Sequence, residues 1–145
     1  MLIRKVKEED LKDLQRVFLY LCDQEGSLEK MQEAFKYIDS NQDYYLLGAE
    51  VDGKIVGTVM GIVCRDMVGT YTAFMTVENV VVLEAYRGRG IGRSLFETME
   101  QVAIERNCAY IYLVSGDTRN IAHKMYHKLG YRSDNVVGFR KYLAK

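Results

Sequence analysis

The spacing of apolar residues changes several times along the chain, and each change marks a new secondary-structure element. Residues 2–6 predict a short strand. Apolar residues then recur three and four positions apart, which predicts two helices over residues 11–21 and 28–38, with Ser27 as the N-cap of the second. The chain is therefore expected to begin as a strand followed by two helices.

An alternating pattern typical of strands replaces the helical spacing after residue 43. Residues 44–51 and 54–65 predict two antiparallel strands, because Asp52 and Gly53 between them tolerate the positive φ angles of a type I′ turn. A turn near Gly69 then leads to a strand over residues 73–83. The middle of the chain is predicted to be an antiparallel meander.

The last third returns to helices and strands in alternation. After a helix that begins near residue 91, residues 109–114 form a nearly continuous apolar run, which predicts a central strand buried on both faces. A helix over residues 119–129 is expected to end at Gly130, and residues 136–143 to supply a final strand. The element order β-αα-β-β-β-α-β-α-β predicts a mixed α/β sheet.

Composition narrows the class of protein. A chain of 145 residues without a linker-like segment is most simply one domain, residues 1–145. Its 20 acidic and 20 basic residues balance, which argues against bulk electrostatic attraction to nucleic acid or membrane. The 3 cysteines match neither a disulfide framework nor a C-x-x-C pair. Without an apolar run of about 18 residues or a secretory signal, a cytoplasmic protein is expected.

A glycine-rich turn joins the apolar strand that ends near residue 83 to an amphipathic helix. Glycine at positions 88, 90 and 92 lets the backbone approach a ligand closely, and the free N–H groups of the first helical turn attract an anion. The alternative is a plain turn with solvent-facing arginines. Arg87, Arg89 and Arg93 disfavour it, because three positive charges at an already positive helix end cost free energy unless an anion compensates them.

The spacing of the glycines separates the known phosphate-binding loops. A dinucleotide fold requires G-x-G-x-x-G, and a nucleoside-triphosphate loop requires G-x-x-x-x-G-K-[ST]. Position 93 is arginine where each motif, counted from Gly88, requires glycine, and no lysine precedes Ser94. Both interpretations fail on this count.

The remaining pattern, Arg87-x-x-Gly90-x-Gly92, resembles the acyl-coenzyme A pyrophosphate loop of the GNAT family of N-acetyltransferases. A second stretch, residues 119–131, resembles the family's later signature, in which alanine and histidine precede a tyrosine, here Tyr126. The resemblance covers residues 76–143, nearly half the chain, and the first half agrees in element order more than in motif.

This resemblance implies an α/β fold in a single domain. The central sheet is expected to be mixed and largely antiparallel, flanked by helices on both faces, and splayed between the strands near 76–83 and 109–114. It further implies acetyl-CoA as cosubstrate. No metal site is predicted, because neither His123 nor His127 lies at metal-ligand spacing from a cysteine, aspartate or glutamate. The residues expected to bind the coenzyme are Val80, Val81, Val82, Arg87, Gly88, Arg89, Gly90, Ile91, Gly92, Arg93, Ser94, Arg119 and Tyr126.

Two residues are candidates for catalysis. Tyr126 is the candidate general acid, since a phenol with a pKa of about 10 is protonated at neutral pH and can donate to a departing thiolate. Glu78 is the candidate general base. Strand alternation is expected to put it on the same face as Val80, and a glutamate that only shapes the acceptor pocket is an equal alternative. His123 and His127 are expected to be exposed or capping side chains rather than bases.

The predicted activity is transfer of an acetyl group from acetyl-CoA to a primary amine by direct attack in a ternary complex. The acceptor is a small-molecule or peptide amine of unidentified structure, and a homodimer is left open. Two other classes remain: a non-catalytic acyl-CoA sensor or regulatory domain, and a structural domain with a vestigial loop. Binding of acetyl-CoA separates the last from the other two, and turnover separates the enzyme from the sensor.

Overall fold

The computed structural model describes residues 1–144, so Lys145, the last residue of the predicted domain, lies outside the described residues. Short 3-10 turns at Glu8–Asp10 and Glu84–Tyr86 precede the first and third helices. The remaining elements are β1 (Leu2–Lys5), α1 (Leu11–Cys22), α2 (Leu28–Ser40), β2 (Tyr44–Val51), β3 (Lys54–Cys64), β4 (Phe74–Val82), α3 (Ile91–Glu105), β5 (Ile111–Leu113) and α4 (Asn120–Lys128).

The five strands form one sheet in the order β1-β2-β3-β4-β5. The first four strands pair antiparallel, and β5 pairs parallel to β4. Asp52 and Gly53 both take positive φ angles, 51° and 74°, in the hairpin between β2 and β3. The predicted mixed, largely antiparallel sheet and its hairpin turn are confirmed.

Helices cover both faces of this sheet. On one face, α1 and α2 form a buried cluster with the sheet that includes Leu14, Phe35 and Ile55. On the other face, α3 packs so closely that a Cβ at Gly61 would overlap the sulfur atoms of Met99 and Met75. Small residues in β3 therefore allow α3 to lie against the sheet, as expected of tightly packed interiors.

Backbone contacts group the chain into two compact units, Met1–Leu113 and Val114–Lys145. The first unit contains the whole sheet with α1, α2 and α3. The second contains α4, where the rings of Tyr126 and Tyr131 meet edge to face with their centroids 6.3 Å apart. The single-domain organisation of residues 1–145 stays a prediction.

The strand predicted over residues 109–114 is shorter and more exposed than expected. Only Ile111–Leu113 forms a strand, it lies at the end of the sheet order, and the side chain of Tyr112 is 46% exposed. The prediction of a central strand buried on both faces was wrong. Part of the apolar run consists of tyrosines that contact a neighbouring aromatic ring instead of lying in the core. The ring centre of Tyr110 lies 5.3 Å from that of Phe74, and the two rings are stacked.

The final strand predicted over residues 136–143 is also wrong, because these residues form no strand in the described part of the chain. Val137 and Phe139 are exposed by 77% and 94%. Apolar, β-branched residues favour a strand only where a neighbouring strand offers hydrogen bonds, and Gly138 weakens the local preference. The sequence pattern alone does not supply that neighbour.

Candidate active site

The loop between β4 and α3 contains two glycines in the left-handed region. Gly88 and Gly90 have φ angles of 73° and 79°, and Gly90 is the N-cap of α3. A Cβ built at either position would meet no atom within 4 Å. The loop therefore needs glycine for its backbone conformation, and it leaves open space where side chains would otherwise stand.

Among residues 1–144, the backbone N–H groups at the start of α3 have no hydrogen-bond acceptor. No side chain caps the helix, its first turn contains no acidic residue, and within residues 1–144 no oxygen accepts a hydrogen bond from the amides of residues 88–93. The first intrahelical bond runs from the Ser94 amide to the Gly90 carbonyl, over 3.0 Å. Free amides and the helix dipole together make this end of α3 electropositive.

Two of the three loop arginines bind backbone carbonyls nearby. The Arg87 Nε donates to the Val82 oxygen over 2.9 Å, and an Arg89 Nη donates to the Ala85 oxygen over 3.1 Å. The Arg89 guanidinium also lies 5.2 Å from the centre of the Tyr86 ring. All three arginines, including Arg93, remain exposed. Their guanidinium groups therefore lie at the surface of the loop that contains the free amides.

The first half of β4 is paired on both edges, and its second half is paired on one. The register with β5 covers only Met75, Thr76 and Val77, and no strand pairs with residues 78–82 on that edge in the described part of the chain. This matches the predicted parting of the two strands. An edge with free backbone groups is one that an extended ligand can join like an added strand.

A β-bulge interrupts β4 next to Glu78. Thr58 in β3 faces Val81, whereas Met60 faces Glu78, so two residues of β4 oppose one residue of β3. Directly opposed residues share a face of the sheet, so Glu78 shares its face with Val81. The expectation that Glu78 and Val80 lie on one face was wrong, because the bulge adds a residue between them. The Glu78 side chain is exposed.

Tyr126 is a buried residue of α4, with 6% of its surface exposed. Burial raises the pKa of its phenol above the ordinary value, and the positive charge of Arg119 partly opposes that rise. Arg119 is the N-cap of α4 and is itself exposed. The phenol is therefore protonated at neutral pH.

The two histidines of α4 each have a local partner. His123 Nε2 lies 3.2 Å from the Ser115 hydroxyl, and His127 Nδ1 donates to the Tyr131 carbonyl over 3.2 Å. The second bond links the last turn of the helix to the segment that follows it. Within residues 1–144 there is no group of three or more His, Cys, Asp or Glu side chains arranged to hold a metal ion. The helices of the same stretch include none with the length and apolar character to cross a bilayer.

Comparison with known proteins decides which family this arrangement belongs to. The model of the acetyltransferase (GNAT) family matches residues 8–131, which is most of the chain. This chain is a member of the GNAT acetyltransferase family. The match contains the glycine loop, the bulged strand and Tyr126.

Solved structures agree with the GNAT fold over nearly the whole chain. A protein of Agrobacterium tumefaciens str. C58, provisionally named an acetyltransferase, is 26% identical with a TM-score of 0.90, covering 99% of this chain and 100% of that one. A GNAT family acetyltransferase of Staphylococcus aureus is 25% identical with a TM-score of 0.77 and 98% coverage of both chains. Glucosamine-6-phosphate N-acetyltransferase of Arabidopsis thaliana, at 21% identity and a TM-score of 0.87, shares the fold over 99% of this chain and 98% of its own.

Members of the GNAT family are acyltransferases that in general use acetyl-CoA as cosubstrate, and this sets the chemistry that the loop and strand are able to serve. Sequence reasoning missed two residues at the bulge of β4, Thr58 and Asn79. The Thr58 hydroxyl donates to the Asn79 carbonyl over 2.9 Å, and Asn79 has a φ angle of 54°. An asparagine inside a valine-rich strand was the available signal, because asparagine is unfavourable in strands and tolerates the left-handed region.

Proposed function

We propose that this protein is an N-acetyltransferase that moves an acetyl group from acetyl-CoA to a primary amine by direct attack in a ternary complex. The observation that carries the proposal is the start of α3, where the amides of residues 88–93 have no acceptor within the described chain. A diphosphate is the anion that a glycine loop at a helix N-terminus commonly binds.

The residues present fit the coenzyme. In this proposal the free amides from Gly88 to Arg93 hold the diphosphate, and Arg87, Arg89 and Arg93 neutralise its charge. The space beside Gly88 and Gly90 leaves the backbone accessible to phosphate oxygens. The free edge of β4 along residues 80–82 binds the pantetheine arm through main-chain hydrogen bonds. Acetyl-CoA supplies the activated thioester.

Acyl transfer then requires a donor for the oxygen that gains negative charge. A backbone N–H of Val81 or Val82 is proposed for this role. A preorganised donor of this kind contributes about 3 to 4 kcal/mol to the stability of the transition state in acyl transfer, because it is already oriented when the charge develops.

Tyr126 is proposed as the general acid that gives a proton to the departing thiolate. Burial raises the pKa of its phenol, which keeps the proton on the oxygen at neutral pH and makes it available to a base. Arg119 is proposed to contact the coenzyme. For the amine, Glu78 is proposed either to accept the proton or to shape the acceptor pocket, and its exposed side chain suits contact with a cationic amine.

An amine panel tests the proposal. The purified protein is mixed with acetyl-CoA and polyamines, amino acids, aminoglycosides or peptides, and released coenzyme A thiol is measured. Turnover with at least one amine is expected, together with a rise in melting temperature when acetyl-CoA is added, because a ligand at 100 times its Kd stabilises the fold by about 2.7 kcal/mol.

Two variants assign the roles. Tyr126→Phe is expected to lower kcat by about 100-fold while acetyl-CoA binding persists, since only the proton donor is lost. Glu78→Gln is expected to lower kcat if Glu78 accepts the proton of the amine, and to raise KM for the amine with little change in kcat if Glu78 only shapes the acceptor pocket. Tight binding of acetyl-CoA without turnover of any amine would overturn the enzyme proposal in favour of an acyl-CoA sensor.

A further inference from the structure

The two ends of β4 direct their amides to opposite edges. The Met75 amide donates to the Tyr110 carbonyl, beside β5, over 3.0 Å. The Leu83 amide, directly after β4, donates to the Val56 carbonyl of β3 over 2.9 Å. In a regular strand, amides that are an even number of residues apart point to the same edge. One extra residue between them must therefore reverse the alternation.

The register locates that extra residue at the bulge. Asn79 and Val80 together oppose the single position between Thr58 and Met60 in β3. Asn79 has a φ angle of 54°, which lies in the left-handed region and bends the strand. An unbulged strand in the phase set by Met75 would direct the Val81 amide to the β5 side. With the bulge, Val81 takes the phase of Leu83 and faces β3.

The reversal turns Val82 toward the edge that has no strand partner. Val82 neighbours Leu83, so its amide and carbonyl point away from β3. Two contacts agree with this direction. The Val82 carbonyl accepts from Arg87 Nε over 2.9 Å, and the Val81 carbonyl lies on the β3 side, 3.1 Å from a Cβ built at Gly57.

A buried hydroxyl holds the bulge in place. Thr58 is fully buried, with 0% of its surface exposed, and its hydroxyl donates to the Asn79 carbonyl over 2.9 Å. The left-handed conformation costs free energy at any residue other than glycine, and asparagine tolerates it better than most. A buried hydrogen bond to the carbonyl of the same residue offsets that cost.

We propose that Thr58 and Asn79 are positioning residues for acyl transfer, because the bulge they hold directs the Val82 N–H to the free edge of β4. The inference rests on the proposed function and goes beyond it by naming the residue that forms the bulge, Asn79, and the hydroxyl that holds it, that of Thr58. In the reaction, the amine nitrogen attacks the thioester carbonyl and forms the new C–N bond. The C–S bond then breaks, and its electron pair leaves on sulfur. The amine nitrogen loses a proton, the thiolate gains a proton, and the Val82 N–H stabilises the negative charge on the carbonyl oxygen.

Thr58→Val removes the hydroxyl and keeps the shape of the side chain, and Thr58→Ser keeps the hydroxyl and is the matched control. Thr58→Val is expected to lower kcat by about 10- to 100-fold, with KM for acetyl-CoA changed by less than about threefold. A misdirected N–H weakens stabilisation of the transition state much more than it weakens binding of acetyl-CoA. Thr58→Ser should retain most of kcat. Equal kcat in Thr58→Val and the wild type, or equal losses in Thr58→Val and Thr58→Ser, would overturn the proposal.

Two variants of Asn79 provide a second test, because one keeps the left-handed backbone conformation accessible and the other disfavours it. Asn79→Gly keeps access to the left-handed region and should retain kcat within about threefold, whereas Asn79→Val disfavours that region strongly and should lose kcat as Thr58→Val does. If Asn79→Gly loses as much activity as Asn79→Val, backbone conformation is not the reason and the proposal fails.

A measurement on the free protein distinguishes a local change at the bulge from unfolding of the whole protein. It also tests this proposal independently of the proposed acetyl transfer. Hydrogen exchange of the free protein is measured for the amides of residues 79–83 and, as an internal control, of α3. In Thr58→Val, faster or redistributed exchange is expected around the bulge only, with α3 unchanged. Unchanged exchange in β4 would refute the role of Thr58 in holding the bulge, even if the wild type turns over. Absence of wild-type turnover would refute the proposed function, while the exchange measurement would still test that role.

Discussion

The helices α2 and α3 begin in opposite ways. Ser27 starts α2 with an extended backbone, its hydroxyl accepts from the Lys30 amide over 3.4 Å, and the acidic Glu29 follows in the first turn. Gly90 starts α3 in the left-handed region, without a side-chain cap and without an acidic residue in the first turn. The residues around it are arginines instead.

This difference shows how one backbone element serves either stability or binding. Every helix exposes N–H groups at its start, and these groups need acceptors. The sequence of α2 provides one from its own N-cap and adds a negative charge that complements the dipole. The sequence of α3 provides neither and adds positive charge. An acceptor for α3 is therefore expected to come from a ligand.

The largest expected effect comes from giving α3 the chemistry of α2. Gly90→Asp places a carboxylate among the free amides, and asparagine-like residues tolerate its positive φ angle. Affinity for coenzyme A should fall by roughly 100-fold, because like charges at an interface cost several kcal/mol. Titration calorimetry measures it.

The control for that variant is Gly53→Asp, at the hairpin glycine with a similar φ of 74° and equally open surroundings. It should change stability by a similar small amount and leave coenzyme A affinity unchanged. Equal affinity of Gly90→Asp and the wild type would remove the proposed difference between the two helix starts.

The second prediction concerns the start of α1, where a carboxylate is bound by a cation of the chain itself. Asp10 is buried and accepts two hydrogen bonds from the Arg4 guanidinium, at 2.7 and 2.9 Å, and one from the Lys7 amide at 2.7 Å. The bonds from Arg4 are the main reason that its pKa lies below the ordinary value. Asp10→Asn should lower the free energy of unfolding at pH 7 by about 2 kcal/mol.

The pH dependence follows from the sign of that shift. Since the folded pKa of Asp10 lies below the unfolded one, near 3.9, its contribution is present above about pH 4 and is lost as the pH falls through the folded value. Urea titrations from pH 7 to pH 3 should therefore show a smaller acid-induced loss in Asp10→Asn. Asp134→Asn, at a fully exposed pair with Arg132, is the control and should leave the profile unchanged. Parallel profiles of Asp10→Asn and the wild type would contradict the prediction.

The third prediction concerns the positive charge of Arg87 beside the start of α3. Arg87→Gln removes a charge beside the α3 amides and its bond to the Val82 carbonyl. Affinity for coenzyme A should fall by about tenfold, and its salt dependence should weaken, because exposed charges are screened by salt. Arg16→Gln, an exposed arginine paired with Asp13 in α1, is the matched control and should change neither. A tenfold loss in both variants would indicate net charge rather than the loop arginine.

The smallest effect is expected at Ser27. Ser27→Ala removes the cap of α2 and should lower the free energy of unfolding by about 0.5 kcal/mol, at the low end for caps because the hydrogen bond is long. Coenzyme A affinity should stay the same. Chemical denaturation and calorimetry measure the two quantities, and a loss of affinity would show that α2 does not serve stability alone.

Sequence reasoning succeeded where a local rule governs the structure. The hairpin at Asp52 and Gly53 and the cap at Ser27 depend on a few adjacent residues, and both form as predicted. The left-handed glycines before α3 follow from the same kind of rule. The family resemblance added the parting of the two strands near 76–83 and 109–114 and the identity of Tyr126 as a candidate acid.

It failed where pairing between distant segments decides. Residues 136–143 have the composition of a strand but form none, and residues 109–114 give only the short edge strand β5. The bulge at Asn79 was also missed, because a register shift is a property of two strands and β4 alone shows only an unusual asparagine. That omission led to the wrong face for Glu78.

The amino-acid sequence by itself determined the helices, the hairpin and the electropositive start of α3, since capping, turn conformation and charge act over a few adjacent residues. The tertiary structure alone decided which amides of β4 face its free edge and which hydroxyl holds the bulge. Thr58 and Asn79 are 21 residues apart in the chain and meet only when β3 pairs with β4. Hydrogen bonds between strands have no local signature, because either partner accepts several registers until the rest of the sheet selects one.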